Sequence, residues 1–380
     1  MKTQSKFAKL AFLGIAATLL LSLSTLAMAE SDAARAIRVS AANVPTNIPG
    51  IRTYAEPPKG FNPVTATDEN LATYGFPARP DQQAHPDQYL QWERAMRAAK
   101  IRWNGELRPA PGGHEMLPAA ATRVPEVVQP ETGPKKILTN NGSGVIVASG
   151  QKTFNKNSIY QIDAEIIVPP VRLPFDTTSC SGEGYVTVAS VGIDGFLFDT
   201  GNGYGYDPQL EAGVFGQVSC SGDIYYFAVV GWQGNYNVVF NVSPGDVVYA
   251  VASTAGGSDS SVYLADYTTG AGGTYAVTTS SIVGAYGSWI VERVCCNGNV
   301  PVPLANTVNI AFGGIEYATT ESDKLFYAGS QAATTEILTM TDDAGDQDIE
   351  TVRQGSTGTM GLNGLWFTTV NCAYEGGCTP

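Results

Sequence analysis

Carboxylates and amides are the side chains that could do chemistry in the second half of this 380-residue chain. The sequence contains no histidine after residue 136, and its two histidines, His85 and His114, lie in an earlier proline-rich stretch. A Ser-His-Asp triad, a Cys-His pair and a histidine-ligated zinc site all need an imidazole. General acid/base chemistry by Glu or Asp is therefore the expected mode of any catalysis. We expect no metal and no cofactor.

The elements that must position these side chains are strands. From Ile137 the chain consists of short β-rich runs separated by Gly, Ser, Asn and Asp, and most runs alternate with a period of two. Roughly 240 residues of evenly spaced strands predict one all-β domain, an antiparallel sandwich or barrel. Two segments, NVSPGDVV and LADYTTGAGGTYAV, are typical of hairpins with turns at Pro244-Gly245 and Thr269-Gly273.

The first 29 residues have the pattern of a secretory signal peptide. Lys2, Lys6 and Lys9 precede an apolar run over residues 10–23, and Ala27-Met28-Ala29 supplies a small-x-small cleavage pattern. A retained membrane anchor is the alternative, but the apolar run is short for a span of ~20 residues. We expect a secreted or periplasmic protein that is not in the membrane, and a monomer.

Residues 30–136 are predicted to be a pro-segment or N-terminal extension of a domain over residues 137–380. Residues 86–103 show helical spacing, and the Pro- and Gly-rich stretch that follows opens a linker. A disordered leader is the alternative. If the segment lies on the domain as a pro-segment, we expect protonation of the domain's carboxylates in acid to release it.

Charge divides the chain at the same place. Residues 30–136 contain 13 Lys and Arg against 12 Asp and Glu, whereas residues 137–380 contain 6 against 23. This acidic surface indicates either adaptation to acid or simple solubility, and it disfavours nucleic acid and anionic lipid as partners.

All six cysteines also lie after residue 137, and an even number of cysteines in an exported chain favours disulfides. Cys180 and Cys220, both in Ser-Gly-rich turns, are the preferred pair, whereas the adjacent Cys295 and Cys296 are too close to bond to each other.

Five segments occur together in an order that points to one family. NNGSG, VGIDG, LEAG, SPGD and SWIVE, with ILTMT and GLWFTTV after them, resemble the motifs of the eqolisins, the glutamic peptidase family. The segments begin at Asn140, Val191, Leu210, Ser243 and Ser288, and the resemblance covers about residues 137–371. It implies two curved, packed antiparallel sheets of the concanavalin-like type with a groove on one concave face. It also implies an acid-active endopeptidase that cuts peptide or protein with a Glu base and a Gln oxyanion partner.

The chain departs from the family's pattern at the positions that carry the chemistry. The glutamine of L-Q-x-G is Glu211 here, the glutamate of Y-E-W is Gly231, and the aromatic residue before the GID element is Ser190. Because residues 231 and 233 share a face in a strand, we hypothesise a swapped pair with Glu211 as the base and Gln233 as the amide donor. The alternative is an inactive relative, with Gln233 in a turn, that binds peptide or glycan.

Other candidate residues have a structural interpretation beside the functional one. Asp194 and Trp232 are candidate substrate-binding residues, although Asp194 could simply hydrogen-bond a turn. Glu292 in SWIVE is interpreted as a paired, half-buried structural carboxylate. The acidic cluster from Asp342 to Glu350 could hold calcium but is more typical of a solvated loop. A glycoside hydrolase would need a second carboxylate beside Glu211, and the sequence indicates none.

Overall fold

A computed structural model gives the fold of the chain. It describes residues 38, 40–102, 106–111, 126–128, 135–139, 142–149, 158–173, 180, 184–194, 196–197, 205–206, 210–232, 235–256, 260–277, 282–294, 303–307, 309–319, 322–327, 334–341, 348–353 and 366–371. Among these residues no helix is long and apolar enough to span a membrane. The expected signal peptide lies outside the described residues.

The described helical residues all lie before the β domain: residues 38, 40 and 41 are helical, and two longer helices follow, α1 (Asp68–Thr73) and α2 (Pro86–Ala98). Pro86 takes the first turn of α2, where a missing N–H costs nothing, and the buried face of α2 includes Trp92, Ala95 and Met96. The strands are β1 (Val44–Pro45), β2 (Ile51–Thr53), β3 (Ile101–Arg102), β4 (Arg108–Pro109), β5 (Glu126–Val128), β6 (Lys135–Thr139), β7 (Gly142–Ala148), β8 (Ile159–Ile167), β9 (Tyr185–Ile193), β10 (Phe196–Leu197), β11 (Gly205–Tyr206), β12 (Leu210–Val218), β13 (Ile224–Trp232), β14 (Asn235–Asn241), β15 (Val247–Thr254), β16 (Ser260–Asp266), β17 (Ala271–Val277), β18 (Tyr286–Glu292), β19 (Asn309–Thr319), β20 (Ser322–Tyr327), β21 (Thr334–Thr341), β22 (Asp348–Arg353) and β23 (Trp366–Asn371).

The β domain has two layers. The first layer has the strand order β4-β14-β13-β12-β9-β18-β7-β21, and all of these neighbours are antiparallel. The second layer has the order β2-β17-β16-β15-β8-β19-β23. Strand β22 pairs with both β21 and β23 and so joins the two layers along one side. The predicted two-sheet antiparallel sandwich is therefore confirmed.

The core lies between the two layers and follows from the alternation of the strands. Val191, Ala212 and Trp289 of the first layer point inward and share one apolar cluster with Ile162 and Tyr317 of the second. The Trp289 indole N–H also donates to the backbone carbonyl of Asp163 across the core, at 2.8 Å. Because the inward residues alternate, every second residue of these strands projects from the outer face of its layer.

The N-terminal extension forms a third layer over the outer face of the second sheet. Trp92, Ala95 and Met96 of α2 pack with Tyr249 and Tyr263 in a separate apolar cluster. Further along the chain, Leu107 is fully buried in the main core and β4 continues the first layer at its β14 edge. Over the described residues, the extension is therefore packed on the domain.

The structure contains one of the two expected hairpins and the expected disulfide. The hairpin expected around Thr269 is present, since β16 and β17 pair with each other. The hairpin expected at Pro244-Gly245 is wrong, because β14 pairs in the first layer and β15 in the second. The chain does turn there, with Gly245 at a φ of 89°, but the turn carries it from one layer to the other. The expected Cys180–Cys220 disulfide is present.

Candidate functional site

Glu211 lies at the centre of the first layer on its outer face. Its neighbours in β12, Leu210 and Ala212, point into the core, so the Glu211 side chain projects to the other side. The residue is nevertheless only 1% exposed. We call this surface, which carries Ser190, Glu211, Ile290 and Glu292, the Glu211 face.

Two hydroxyl groups hold the Glu211 carboxyl group. The Ser190 hydroxyl donates to Oε1 at 2.9 Å, and the Tyr236 hydroxyl donates to Oε2 at 2.5 Å. Each oxygen of the carboxyl group therefore has a defined partner on a neighbouring element, β9 for one and β14 for the other. A buried carboxyl group satisfied in this way has a fixed orientation.

Gly231 lies directly across from Glu211 in the β12–β13 pair. A Cβ atom at this position would lie 2.7 Å from Glu211 Oε2 and 3.1 Å from the Tyr236 ring. The present Glu211–Tyr236 contact therefore depends on the absence of a side chain at residue 231. The space that the family's glutamate would need is taken by Glu211 and Tyr236 together.

Glu292 is a second carboxylate on the Glu211 face. Strand β9 lies between β12 and β18, with Gly192 opposite Glu211 and Val188 opposite Glu292. Ser190 is thus a diagonal neighbour of both glutamates, and diagonal neighbours lie about 7–8 Å apart, within reach of long side chains. Glu211, Ser190 and Glu292 form one diagonal line across three strands, with Ser190 in the middle and the two glutamates two diagonal steps apart.

The sequence alone indicates a structural carboxylate at Glu292. Alternation with the inward Trp289 and Val291 does show that Glu292 points outward. The missing information is the pairing of strands far apart in the sequence, which brings residue 292 beside residue 190.

Asp194 follows β9 and binds backbone rather than open space. It has a φ of 59°, the left-handed region, and its carboxylate accepts hydrogen bonds from the backbone N–H groups of Val283, Gly284, Ala285 and Tyr286. Burial raises the pKa of Asp194, and these four N–H donors oppose the rise. The contacts agree with the turn interpretation, and a substrate-binding role stays a prediction.

The other two site residues predicted from sequence have different outcomes. Trp232 lies on the inward side of β13, opposite the Glu211 face, and packs against the main core. Its role in substrate binding stays a prediction. Gln233 lies outside the described residues, as do Asp342, Asp343 and Asp346 of the acidic cluster. The swapped Glu211–Gln233 pair therefore stays a prediction as well.

A second group of carboxylates lies beneath α2 on the outer face of the second layer. Glu165 accepts hydrogen bonds from Arg94 at 2.9 Å and from the Tyr267 hydroxyl at 2.9 Å. Asp163 and Glu316 are paired across β8 and β19 and are almost fully buried. Burial raises the pKa of Asp163 to about 7 and that of Glu316 well above its usual range. The described residues contain no group of three or more His, Cys, Asp and Glu arranged to hold a metal ion.

These buried carboxyl groups make the fold less stable as the pH rises. A carboxyl group with a raised pKa keeps its proton in the folded chain at pH values where the unfolded chain has lost it. Each such group lowers the free energy of unfolding by about 1.4 kcal/mol per pH unit between the unfolded and folded pKa values. For Asp163 this window runs from about pH 4 to about pH 7.

We expect urea denaturation followed by tryptophan fluorescence to show this loss between pH 4 and pH 7, and Asp163→Asn to reduce its slope. Asp223→Asn, at an exposed turn, is the control and should leave the slope unchanged. An identical slope in Asp163→Asn would contradict the prediction. Protonation of Asp163 and Glu316 stabilises the packed state, so these contacts oppose the expectation that acid releases the extension.

Comparisons with known proteins identify a family over most of the β domain. The model of the Peptidase A4 family matches residues 140–357. Similar solved structures include scytalido-glutamic peptidase with a peptide-based transition-state analogue, at 17% identity, and SCP-B of the eqolisin family with the tripeptide Ala-Ile-His, at 18%. Each of these two matches covers 61% of this chain and 98% of the peptidase chain, with a TM-score of 0.44. The alginate lyase Aly36B also matches, at 10% identity over 43% of this chain and 68% of that one, with a TM-score of 0.22. No curated protein matches the chain.

Proposed function

Because the chain belongs to the Peptidase A4 family, the eqolisins, we propose that it is an acid-active endopeptidase that cuts peptides or unfolded proteins. The observation that supports this proposal most strongly is the diagonal of Glu211, Ser190 and Glu292 on one face. Peptide hydrolysis in acid needs a base for the attacking water and a hydrogen-bond donor for the carbonyl oxygen. Two carboxyl groups in opposite protonation states supply both.

We assign the donor role to Glu211 and the base role to Glu292. Glu211 stands at the position of the family's glutamine, and a protonated carboxyl group has the shape of an amide with one O–H donor. Ionised Glu292 takes a proton from water while the water oxygen attacks the carbonyl carbon, and the Glu211 O–H stabilises the oxyanion. The C–N bond then breaks as Glu292 returns the proton to the leaving nitrogen. Glu211 as base with Gln233 as donor remains the competing assignment.

The burial of the Glu211 face supports a pro-segment role for residues 30–136. Every residue of β9 and β12 is buried, although one side of each strand faces away from the core. Ala110 of the extension packs with Tyr236 and Val238 at the edge of this face, and its N–H donates to the Tyr236 carbonyl at 2.9 Å. In this proposal, substrate reaches Glu211 only after the extension has been cut or displaced beyond Ala110.

The test compares the chain from residue 30 onward with the same protein cut by limited proteolysis between residues 111 and 125. We expect the cut protein to hydrolyse an unfolded protein substrate below about pH 5, insensitive to chelators and serine reagents, and the uncut protein to be much slower. The cut protein with both Glu211→Gln and Glu292→Gln, which lacks a base under either assignment, controls for contaminating protease.

Absence of hydrolysis from pH 2 to pH 6 in the cut protein would contradict the proposal. Peptide or glycan binding without hydrolysis would then support the inactive, binding relative. Equal rates in cut and uncut protein would contradict the pro-segment role alone.

A further inference from the structure

The groups that surround Glu211 depart from the family's pattern together with it. Ser190 stands where the pattern has an aromatic residue, and its small side chain donates a hydrogen bond to the Glu211 carboxyl group. Gly231 stands where the pattern has a glutamate, and its missing side chain leaves room for the Glu211–Tyr236 contact. The departures at residues 190 and 231, on the two strands that flank β12, are therefore both matched to the buried Glu211 carboxyl group.

Both hydroxyl groups approach Glu211 in a defined geometry. The Ser190 and Tyr236 hydroxyls reach different oxygens of the carboxyl group, and Ser190, Glu211 and Tyr236 are each no more than 1% exposed. Water therefore does not compete for these two contacts. Hydroxyl groups that donate to a carboxylate favour its ionised form, and their removal favours the protonated form.

The other titratable groups of the described Glu211 face lie farther from the carboxyl group. Gly192, Gly231 and Ser190 are its closest cross-strand neighbours, and none of them titrates. The face also carries Tyr225, Tyr286, Glu292 and Glu336. Of these, Glu292 is one diagonal step beyond Ser190, so its charge opposes ionisation of Glu211 while the two hydroxyls favour it.

We infer that Ser190 and Tyr236 are positioning residues that hold the Glu211 carboxyl group and control the pH at which it exchanges its proton. The inference rests on the proposed function, in which Glu211 acts in its protonated form. The two hydroxyls orient the carboxyl group and confine its activity to acid, because they stabilise the ionised form that cannot donate.

The first test measures the pH dependence of kcat/KM in the cut protein. Ser190→Ala and Tyr236→Phe should each move the alkaline limb of the profile to higher pH, by about one unit, since each removes a hydroxyl that donates to the ionised carboxylate and so favours its protonated form. Ser288→Ala, another buried serine of the same face, and Tyr226→Phe, whose hydroxyl accepts a backbone N–H from Val171, are the controls. The controls should leave the limb in place. A lowered rate with an unmoved limb in Ser190→Ala and Tyr236→Phe would overturn the inference.

A second test does not depend on activity. The difference in unfolding temperature between wild type and Ser190→Ala is followed from pH 3 to pH 8. We expect this difference to grow as the pH rises through the range where Glu211 ionises, because the lost hydroxyl stabilises only the ionised form. The same difference is then measured between Glu211→Gln and the double variant Glu211→Gln, Ser190→Ala. It should not change with pH, since an amide does not titrate.

The two tests separate the inference from the proposed function. A pH-dependent difference that disappears with Glu211→Gln supports the positioning role even if the protein hydrolyses nothing. A difference that is flat with pH, or that persists with Glu211→Gln, overturns the positioning role even if the protein is an active peptidase.

Discussion

Glu292→Gln should lower kcat/KM of the cut protein by about 10²–10⁴-fold, the usual contribution of a general base. The substitution keeps the size of the side chain and removes only its ability to accept a proton. Because Glu292 is completely buried on β18, unfolding curves must be recorded alongside the rates to show that the fold is intact. Hydrolysis of an unfolded protein at pH 3–5 is the measurement.

Glu211→Gln is the matched variant that decides between the two assignments. If Glu211 is the donor, the amide replaces it without needing a proton, so activity is retained and extends to higher pH. If Glu211 is the base, the same substitution abolishes activity and Glu292→Gln has only a small effect. Retained activity in Glu292→Gln would thus contradict the assignment that we propose.

Gly231→Glu should destabilise the protein strongly, although it restores the residue type of the family's pattern. The new Cβ would lie 2.7 Å from Glu211 Oε2 and 3.0 Å from Glu211 Cβ. The new carboxylate would also be buried beside a second carboxyl group, and an uncompensated buried charge costs about 3–5 kcal/mol. We expect the free energy of unfolding in urea at pH 7 to fall by at least that amount.

A graded series separates the steric cost from the electrostatic cost. Gly231→Ala adds only the close contact, and overpacking of this kind costs about 1–3 kcal/mol. Combining Gly231→Glu with Glu211→Gln removes the like-charge pair and should recover part of the loss. If Gly231→Glu has the stability of wild type, Gly231 is not the residue that makes room for Glu211.

The sequence predicted those parts of the fold that depend on local pattern. Alternation in segments such as SWIVE correctly indicated strands, and Pro86 correctly indicated the start of a helix that ends at Ala98. The Cys180–Cys220 pair followed from two similar turns. These features depend on neighbouring residues, which a single sequence displays directly.

The candidate site could be predicted only in part, because it depends on the pairing of distant strands. Glu211 was found through its position in LEAG, but its partner Tyr236 gave no signal, since any tyrosine of a strand could have been a core residue. The sequence favours a structural role for Glu292, because nothing in it indicates that β9 separates β12 from β18. The prediction of a hairpin at Pro244-Gly245 is wrong for the same reason, since a hairpin and a connection between layers use the same turn residues.

The packing of α2 on the second layer has a consequence for the composition of the mature protein. A cut beyond Ala110 would leave Trp92 and Met96 seated among Tyr249 and Tyr263. The same polypeptide would also keep Leu107 in the main core and β4 at the edge of the first layer. Maturation by such a cut would therefore not discard the leader but convert one chain into a heterodimer, in which the shorter polypeptide acts as a permanent subunit of the longer one.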